Sequence, residues 1–299
     1  MYHDWKNYPN FDRRVQKIFI SNAYCGRKLN LFFFVILFFA AFVYVISPMY
    51  LQWKQMALCD KMRILVFKSK FSFDFQTSPN YEILYLFQTV VCLYLCLTIF
   101  ASDSFLVIIV LHLISQLEII VNNIRHWDYK NVNCRLKVME FGECNCFKCI
   151  IEHHVQLRRN LKIIQDSFNI IMFLQFTSNA FILCVQGYII VKATYAGNLF
   201  GLLSYMSYIF FSTFNVFMYC KLGEHIIEKS TSISREVGEI PWYNMNVKCR
   251  RLLIIIIQRS NKPFELKAGH YFIMSLATYK SIIITAFTYA SCLLALSEK

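Results

Sequence analysis

The chain has 299 residues, 57% hydrophobic and only 16% charged, with 29 Phe, 18 Tyr, 8 Gly and 5 Pro. A soluble domain carries about 25% charged residues, so this composition excludes an ordinary soluble protein and points to an all-α, polytopic membrane helical bundle. The formal charge of +13 does not signal nucleic acid, because the basic residues lie in loops between long apolar spans rather than on one soluble face.

Residues 1–30 carry Lys6, Arg13, Arg14, Lys17, Arg27 and Lys28. They predict an amphipathic helix on the cytoplasmic side. No cleavable leader is expected, since the first apolar run starts at Leu31. Leu31–Ser47 is nearly pure Phe, Leu, Ile, Val and Ala, and the first span (31–48) is expected to end at Pro48. Residues 49–80 form a loop containing F-D-F-Q-T-S-P-N-Y. From Tyr81 to Val121 the chain is apolar without Pro or Gly. One helix over it would run about 60 Å, twice the hydrocarbon thickness of roughly 30 Å. The second span (83–111) is therefore expected to continue out of the membrane, where Asp103, Ser104, His112, Ser115, Gln116 and Glu118 thicken.

Helical pattern resumes near Ile151 and runs into a third span (168–191). Lys192–Gly197 reads as a tight turn. The fourth span (200–220) continues as a polar helix to Val237, and Pro241 stops it. Leu252–Ile257 is too short to cross a bilayer and sits in a helix over 245–262. The fifth span (270–296) ends the chain. The extensions 112–165, 221–237 and 245–262 would bundle as a cytoplasmic anchor by burying Ile119, Val121, Val155, Leu157, Ile163, Ile226, Ile227, Ile254 and Ile256. The whole, residues 1–299, reads as one transmembrane domain.

Lys and Arg set the orientation. Residues 1–30, 123–167 and 221–267 hold 6, 8 and 9 of them, against 5 in 49–80 plus Lys192 and Lys299. The N-terminus is expected inside and the C-terminus outside.

Of the 12 cysteines only Cys59 falls in a loop placed outside, and the rest scatter through spans and inner loops, which argues against a disulfide framework. Cys144, Cys146, Cys149 and His153 have spacing that soft metal ligation could use, but no second pair accompanies them, so no metal is assigned. With no G-x-S-x-G, P-loop or H-E-x-x-H, the sequence offers no catalytic residue, no cofactor and no enzyme.

On the last span Ser281, Thr285, Thr288, Cys292 and Ala295 recur on one helical face. Such a stripe packs closely against another helix or lines water; spacing alone favours packing. Asp103, costly in lipid, is expected at a contact within the bundle. Lys280 either snorkels to the interface or faces a vestibule. Phe38, Tyr44, Val91, Tyr94, Tyr205 and Tyr208 could form an apolar pocket of the kind that holds volatile molecules by dispersion.

The segments C-K-L-G-E-H-I-I-E-K-S, P-W-Y and K-P-F-E-L-K-A-G-H-Y-F-I-M-S-L-A-T-Y…T-A-F-T-Y-A-S-C-L-L resemble the C-terminal signature of insect odorant receptors. The F-D-F-Q-T-S-P-N-Y loop and the D-W near the start are similar to forms expanded in social Hymenoptera. The resemblance implies an odorant-gated cation channel of the plasma membrane, built as a hetero-tetramer with a co-receptor subunit. In that family the last helix lines the pore and cytoplasmic helices anchor the subunits. It implies pore-facing positions for Thr288, Cys292 and Ala295, where the family often has Ser at the first and a polar residue near the last. The family has seven spans, so the first two are expected to be missing here. A gustatory-type channel subunit or a non-functional truncated receptor are the alternatives.

Overall fold

The structure, a computed structural model, describes residues 2–56, 63–67, 69, 71–72, 74–126, 147–195, 199–269 and 271–297. Its helices are α1 (Tyr2–Asn7), α2 (Arg13–Met56), α3 (Asn80–Arg125), α4 (Phe147–Tyr195), α5 (Leu199–Gly238), α6 (Val247–Ser260) and α7 (Leu276–Ser297); strands β1 (Lys267–Ala268) and β2 (Phe272–Ile273) form one hairpin. Four helices run 40 to 49 residues, about twice what a bilayer needs. The apolar stretches thus do pass without a break into polar extensions. Five helices, α2 to α5 and α7, are long and apolar enough to cross a membrane.

Besides Lys192–Tyr195, read as part of a tight turn but forming the end of α4, two boundaries differ from the sequence reading. Helix α2 does not end at Pro48 but continues to Met56. Proline removes the N–H that would bond the carbonyl four residues back, here that of Tyr44. The Ser47 hydroxyl reaches that carbonyl at 3.3 Å, and the Tyr85 hydroxyl donates to the next one, on Val45. Side-chain hydroxyls, one from the same helix and one from α3, satisfy these carbonyls, as proline in a membrane helix requires. The second difference is at the last helix. It opens at Leu276, and Phe272 and Ile273, inside the head of the expected span, belong to strand β2 of the hairpin.

Two compact units emerge. The first takes Met1–Lys28, Leu106–Phe176 and Met218–Tyr279. Its core is aliphatic: Val110, Ile114, Ile120, Ile226, Ile233 and Val237 are all 0% exposed. Of the predicted stripe, Ile119, Val121, Leu157, Ile226 and Ile256 are buried, whereas Val155, Ile163 and Ile254 are exposed. Val155 and Leu157 are two residues apart and point about 200° apart on a helix, so both cannot face one core.

Polar side chains stitch this unit together. Glu118 accepts from Asn22 at 2.7 Å and pairs with Lys229 at 2.8 Å. Asp4 Oδ2 lies 3.1 Å from His112 Nε2 and 3.3 Å from Gln116 Nε2. Gln116 Oε1 in turn lies 2.8 Å from His153 Nε2. Arg125 binds Glu236 through both guanidinium arms, and that hydrogen bonding holds the Glu236 carboxyl below the usual carboxylate range. Burial pushes the His153 imidazole down to about 4. Burial, with Arg158 and Arg259 nearby, does the same to His154.

The second unit takes Leu29–Phe105, Thr177–Phe217 and Lys280–Lys299. Its core is aromatic and soft: Phe33, Ile36, Leu37, Ala40, Cys92, Cys96 and Phe211. Asp103, 4% exposed, accepts from Asn215 at 2.7 Å, the bundle contact expected of an acid among apolar spans. Ser212 donates to Asn179 at 2.8 Å.

Candidate functional site

Two places within this architecture hold the residues that the sequence singled out. The first is the aromatic cluster of the second unit. Tyr44 lies within electrostatic reach of Tyr205, Tyr208 and Cys92, and Tyr208 within reach of Cys96. The Tyr208 ring stands 6.4 Å from Phe211, and Phe38 packs on the cluster. Tyr44, Tyr205, Tyr208 and Phe38 are therefore brought together. Val91 is half-buried beside Cys92. Tyr94 is not brought in: it is 68% exposed, because two residues from Cys92 a helix presents its opposite side.

The loop after α2 adds what sequence reasoning missed. Phe67 packs its ring 5.8 Å from Tyr44, and Leu65 and Val66 are buried beside it. The loop is pinned to α3 by Gln88, whose carboxamide accepts from the Phe67 N–H at 2.9 Å and donates to its carbonyl at 3.3 Å. Gln76 does the same for the backbone of Arg63. A buried glutamine in an otherwise apolar helix was the available signal.

The second place is α7 with the hairpin before it. Phe264, Leu266 and Ala268 alternate inward at 3%, 1% and 0% exposure. Gln165 pairs with the backbone of Lys267 like a neighbouring strand, at 2.6 and 2.5 Å, and Ser230 receives the Phe264 N–H at 3.0 Å. Gly269 adopts φ +64°, and a Cβ there would fall 2.3 Å from the Phe173 ring. Gly223 lets the Met274 carbonyl lie where a Cβ would be, 2.1 Å away. Glu224 caps the first turn of α7 by accepting from the Leu276 N–H at 3.1 Å, a carboxylate at the positive end of a helix. The signature segment is thus a clamp that fixes where α7 begins.

Beyond its clamp, α7 is the least covered of the five long apolar helices: 11% of its most apolar stretch is buried. Its packed face is Ala286 and Ala290, with Ala290 so close to Gly187 that a Cβ there would stand 3.1 Å from it. Ser281, Thr285, Thr288, Cys292 and Ala295 are all exposed, so close packing inside this chain is not their use. Thr288 donates to the Ile284 carbonyl at 2.9 Å. Lys280 is exposed in the second turn of α7.

Among the described residues no three His, Cys, Asp or Glu side chains converge on a metal-sized site; Cys144 and Cys146 lie outside the described residues.

Five helices long and apolar enough to cross a membrane define a multi-pass helical membrane protein. A profile of the 7tm odorant receptor family matches residues 2–287, and the chain belongs to that family. Odorant receptor 82a of Drosophila melanogaster is 26% identical over 228 residues, 76% of this chain and 56% of that protein. Odorant receptor 22c of the same fly is 28% identical over 144 residues, 48% of this chain and 35% of that one. The odorant receptor coreceptor of Aedes aegypti is 24% identical over 159 residues, 53% of this chain and 33% of that one. The solved insect olfactory receptor OR5 from Machilis hrabei, in complex with eugenol, shares the fold at TM-score 0.81 and 16% identity, over 96% of this chain and 70% of that one. The chain spans between 33% and 56% of the length of these curated relatives.

Proposed function

We propose that the chain is an odorant receptor subunit of a ligand-gated cation channel, working in olfactory transduction at the plasma membrane. Its N-terminus is cytoplasmic and its C-terminus extracellular, in keeping with the Lys and Arg distribution. A volatile apolar molecule binds among Phe38, Tyr44, Val91, Tyr205 and Tyr208, with Phe67 covering Tyr44. Such a site recognises ligand through dispersion and aromatic edges.

The observation that carries this reading is the two-sidedness of α7. One face is packed through Ala286 and Ala290, while Ser281, Thr285, Thr288, Cys292 and Ala295 are uncovered in the single chain. In a tetramer with co-receptor subunits that uncovered face lines the conduction path. The likeness to odorant receptor coreceptors supports such an assembly. Ligand favours the open arrangement only by its difference in affinity between closed and open states.

The test is expression of the chain with and without a co-receptor subunit, recording odorant-evoked cation current and surface labelling. Current with the co-receptor, shifted about tenfold in half-maximal odorant concentration by Tyr208→Ala, is expected; about 1.4 kcal/mol of ligand contact gives that factor. Surface protein that never conducts with any apolar volatile would refute the channel reading.

A further inference from the structure

The first half of α2 has two faces. Val15, Phe19, Asn22 and Gly26, at steps of four, three and four, point inward; the first three are 2%, 2% and 9% exposed. A Cβ on Gly26 would fall 2.9 Å from the Leu111 side chain. On the opposite face Arg13, Lys17, Ile20, Tyr24, Arg27 and Lys28 are all exposed, at steps that keep them in one stripe. Lys28 Nζ stands 4.5 Å over the Tyr24 ring.

This stripe is strongly cationic and unneutralised. Among the described residues none of Arg13, Lys17, Arg27 and Lys28 is held in an ion pair. Asp12 is the one carboxylate in residues 11–30. The nearby inward carboxylates are engaged elsewhere, Asp4 with His112 and Glu118 with Asn22 and Lys229. The apolar run of the same unbroken helix begins at Leu31, one turn past Lys28. Basic and aromatic side chains therefore stand where the helix leaves hydrocarbon, the level at which Tyr and Lys prefer to sit.

We propose that this stripe binds the headgroup of an inositol phospholipid carrying more than one phosphate. The inference rests on the reading above that residues before Leu31 face the cytoplasm, the leaflet where anionic lipid draws juxtamembrane basic clusters. Two levels of charge select the lipid. Arg27 and Lys28 lie at the interface, and Lys17 stands about 15 Å further along the helix axis at 1.5 Å per residue. The single carboxylate and phosphate of phosphatidylserine meet only the first level. A multiply phosphorylated inositol ring, standing off the bilayer, offers phosphates to both.

The test titrates the purified full-length chain in mild detergent with three probes: dioctanoyl phosphatidylinositol bisphosphate, dioctanoyl phosphatidylserine and free inositol trisphosphate. The bisphosphate lipid is expected to bind at least about tenfold more tightly than either other probe. Changing Arg13, Lys17, Arg27 and Lys28 together to Gln should weaken it by at least about tenfold. Arg27→Lys, which keeps the charge, should retain binding. So should a second variant that removes the same number of charges elsewhere, at the exposed Arg159, Lys162, Arg250 and Arg251. No binding by the unaltered chain, binding of either other probe as tight as that of the bisphosphate lipid, or equal loss in the two four-charge variants would overturn the proposal. No current enters this measurement, so a subunit that binds the lipid yet never conducts counts against the channel reading alone.

Discussion

Helices α3 and α7 are both apolar enough to span a bilayer, yet 67% of the most apolar stretch of α3 is buried and 11% of that of α7. Apolarity does not decide which is covered, because lipid receives an apolar side chain as readily as protein does. What decides is whether polar and small groups find partners across helices. On α3 they do. Gln88 pins the loop backbone, Asp103 meets Asn215, Gln116 joins Asp4 to His153, and Glu118 meets Asn22 and Lys229. On α7 the hydroxyls of Thr288 and Ser291 turn back to the carbonyls of Ile284 and Phe287. Among its described residues only Ala286 and Ala290 are buried, with Gly187 against Ala290. A helix so held at its head and so little covered along its length is suited to move.

The largest effect that would break this contrast is at the clamp. Gly223→Ala places a methyl against the Met274 carbonyl. Overpacking of this severity costs about 3 kcal/mol or more, and surface delivery of the variant should fail while an exposed change such as Thr231→Ala is delivered normally. Next comes the contrast itself. Ile114→Ala, at a position 0% exposed on α3, should cost about 2–5 kcal/mol. Ile284→Ala on α7, 54% exposed, should stay within about 0.5 kcal/mol. Thermal unfolding of the purified chain compares the two, and equal losses would erase the distinction. Smaller again is Asp103→Ala, which removes the carboxylate that accepts from the buried Asn215 amide and should cost about 1–3 kcal/mol; Asp103→Asn should cost less.

The mildest prediction concerns pH. His153 and His154 titrate near 4 in the folded chain, against about 6.5 when unfolded. Between those values the unfolded chain binds protons that the folded chain refuses. Stability is therefore full above about pH 6.5 and declines as pH falls toward 4. Melting temperature should drop between pH 7 and 5, and His153→Gln should flatten part of that drop. A melting temperature that rises on acidification would reverse the sign.

Much of the fold was legible in the sequence. Unbroken apolar runs passing into polar helix named the long helices, and a lone acid among apolar residues named the Asp103 contact. What was not legible depended on partners far along the chain. Nothing near Pro48 says that Tyr85, 37 residues later, will satisfy the carbonyl of Val45. The hairpin of β1 and β2 has only two residues per strand and borrows Gln165 as its neighbour. Tyr94 looked as good as Tyr44 because a helix apolar on every side does not disclose its inner face. On α7 two sets of small residues ran at helical spacing, and Gly187 decided which was packed.

The central claim is that the uncovered stripe of α7 faces water in the assembled channel. Single cysteines at Ser281, Thr285, Thr288 and Ala295, and at Ala286 and Ala290, placed in a Cys292→Ser background and expressed with the co-receptor subunit, test it through block of odorant-evoked current by a charged, membrane-impermeant thiol reagent. Cysteines at Thr288 and Ala295, and native Cys292 in the unaltered chain, should be modified and should change the current, while those at Ala286 and Ala290 should be silent. Modification at Ala286 or Ala290 with silence along the stripe would contradict it.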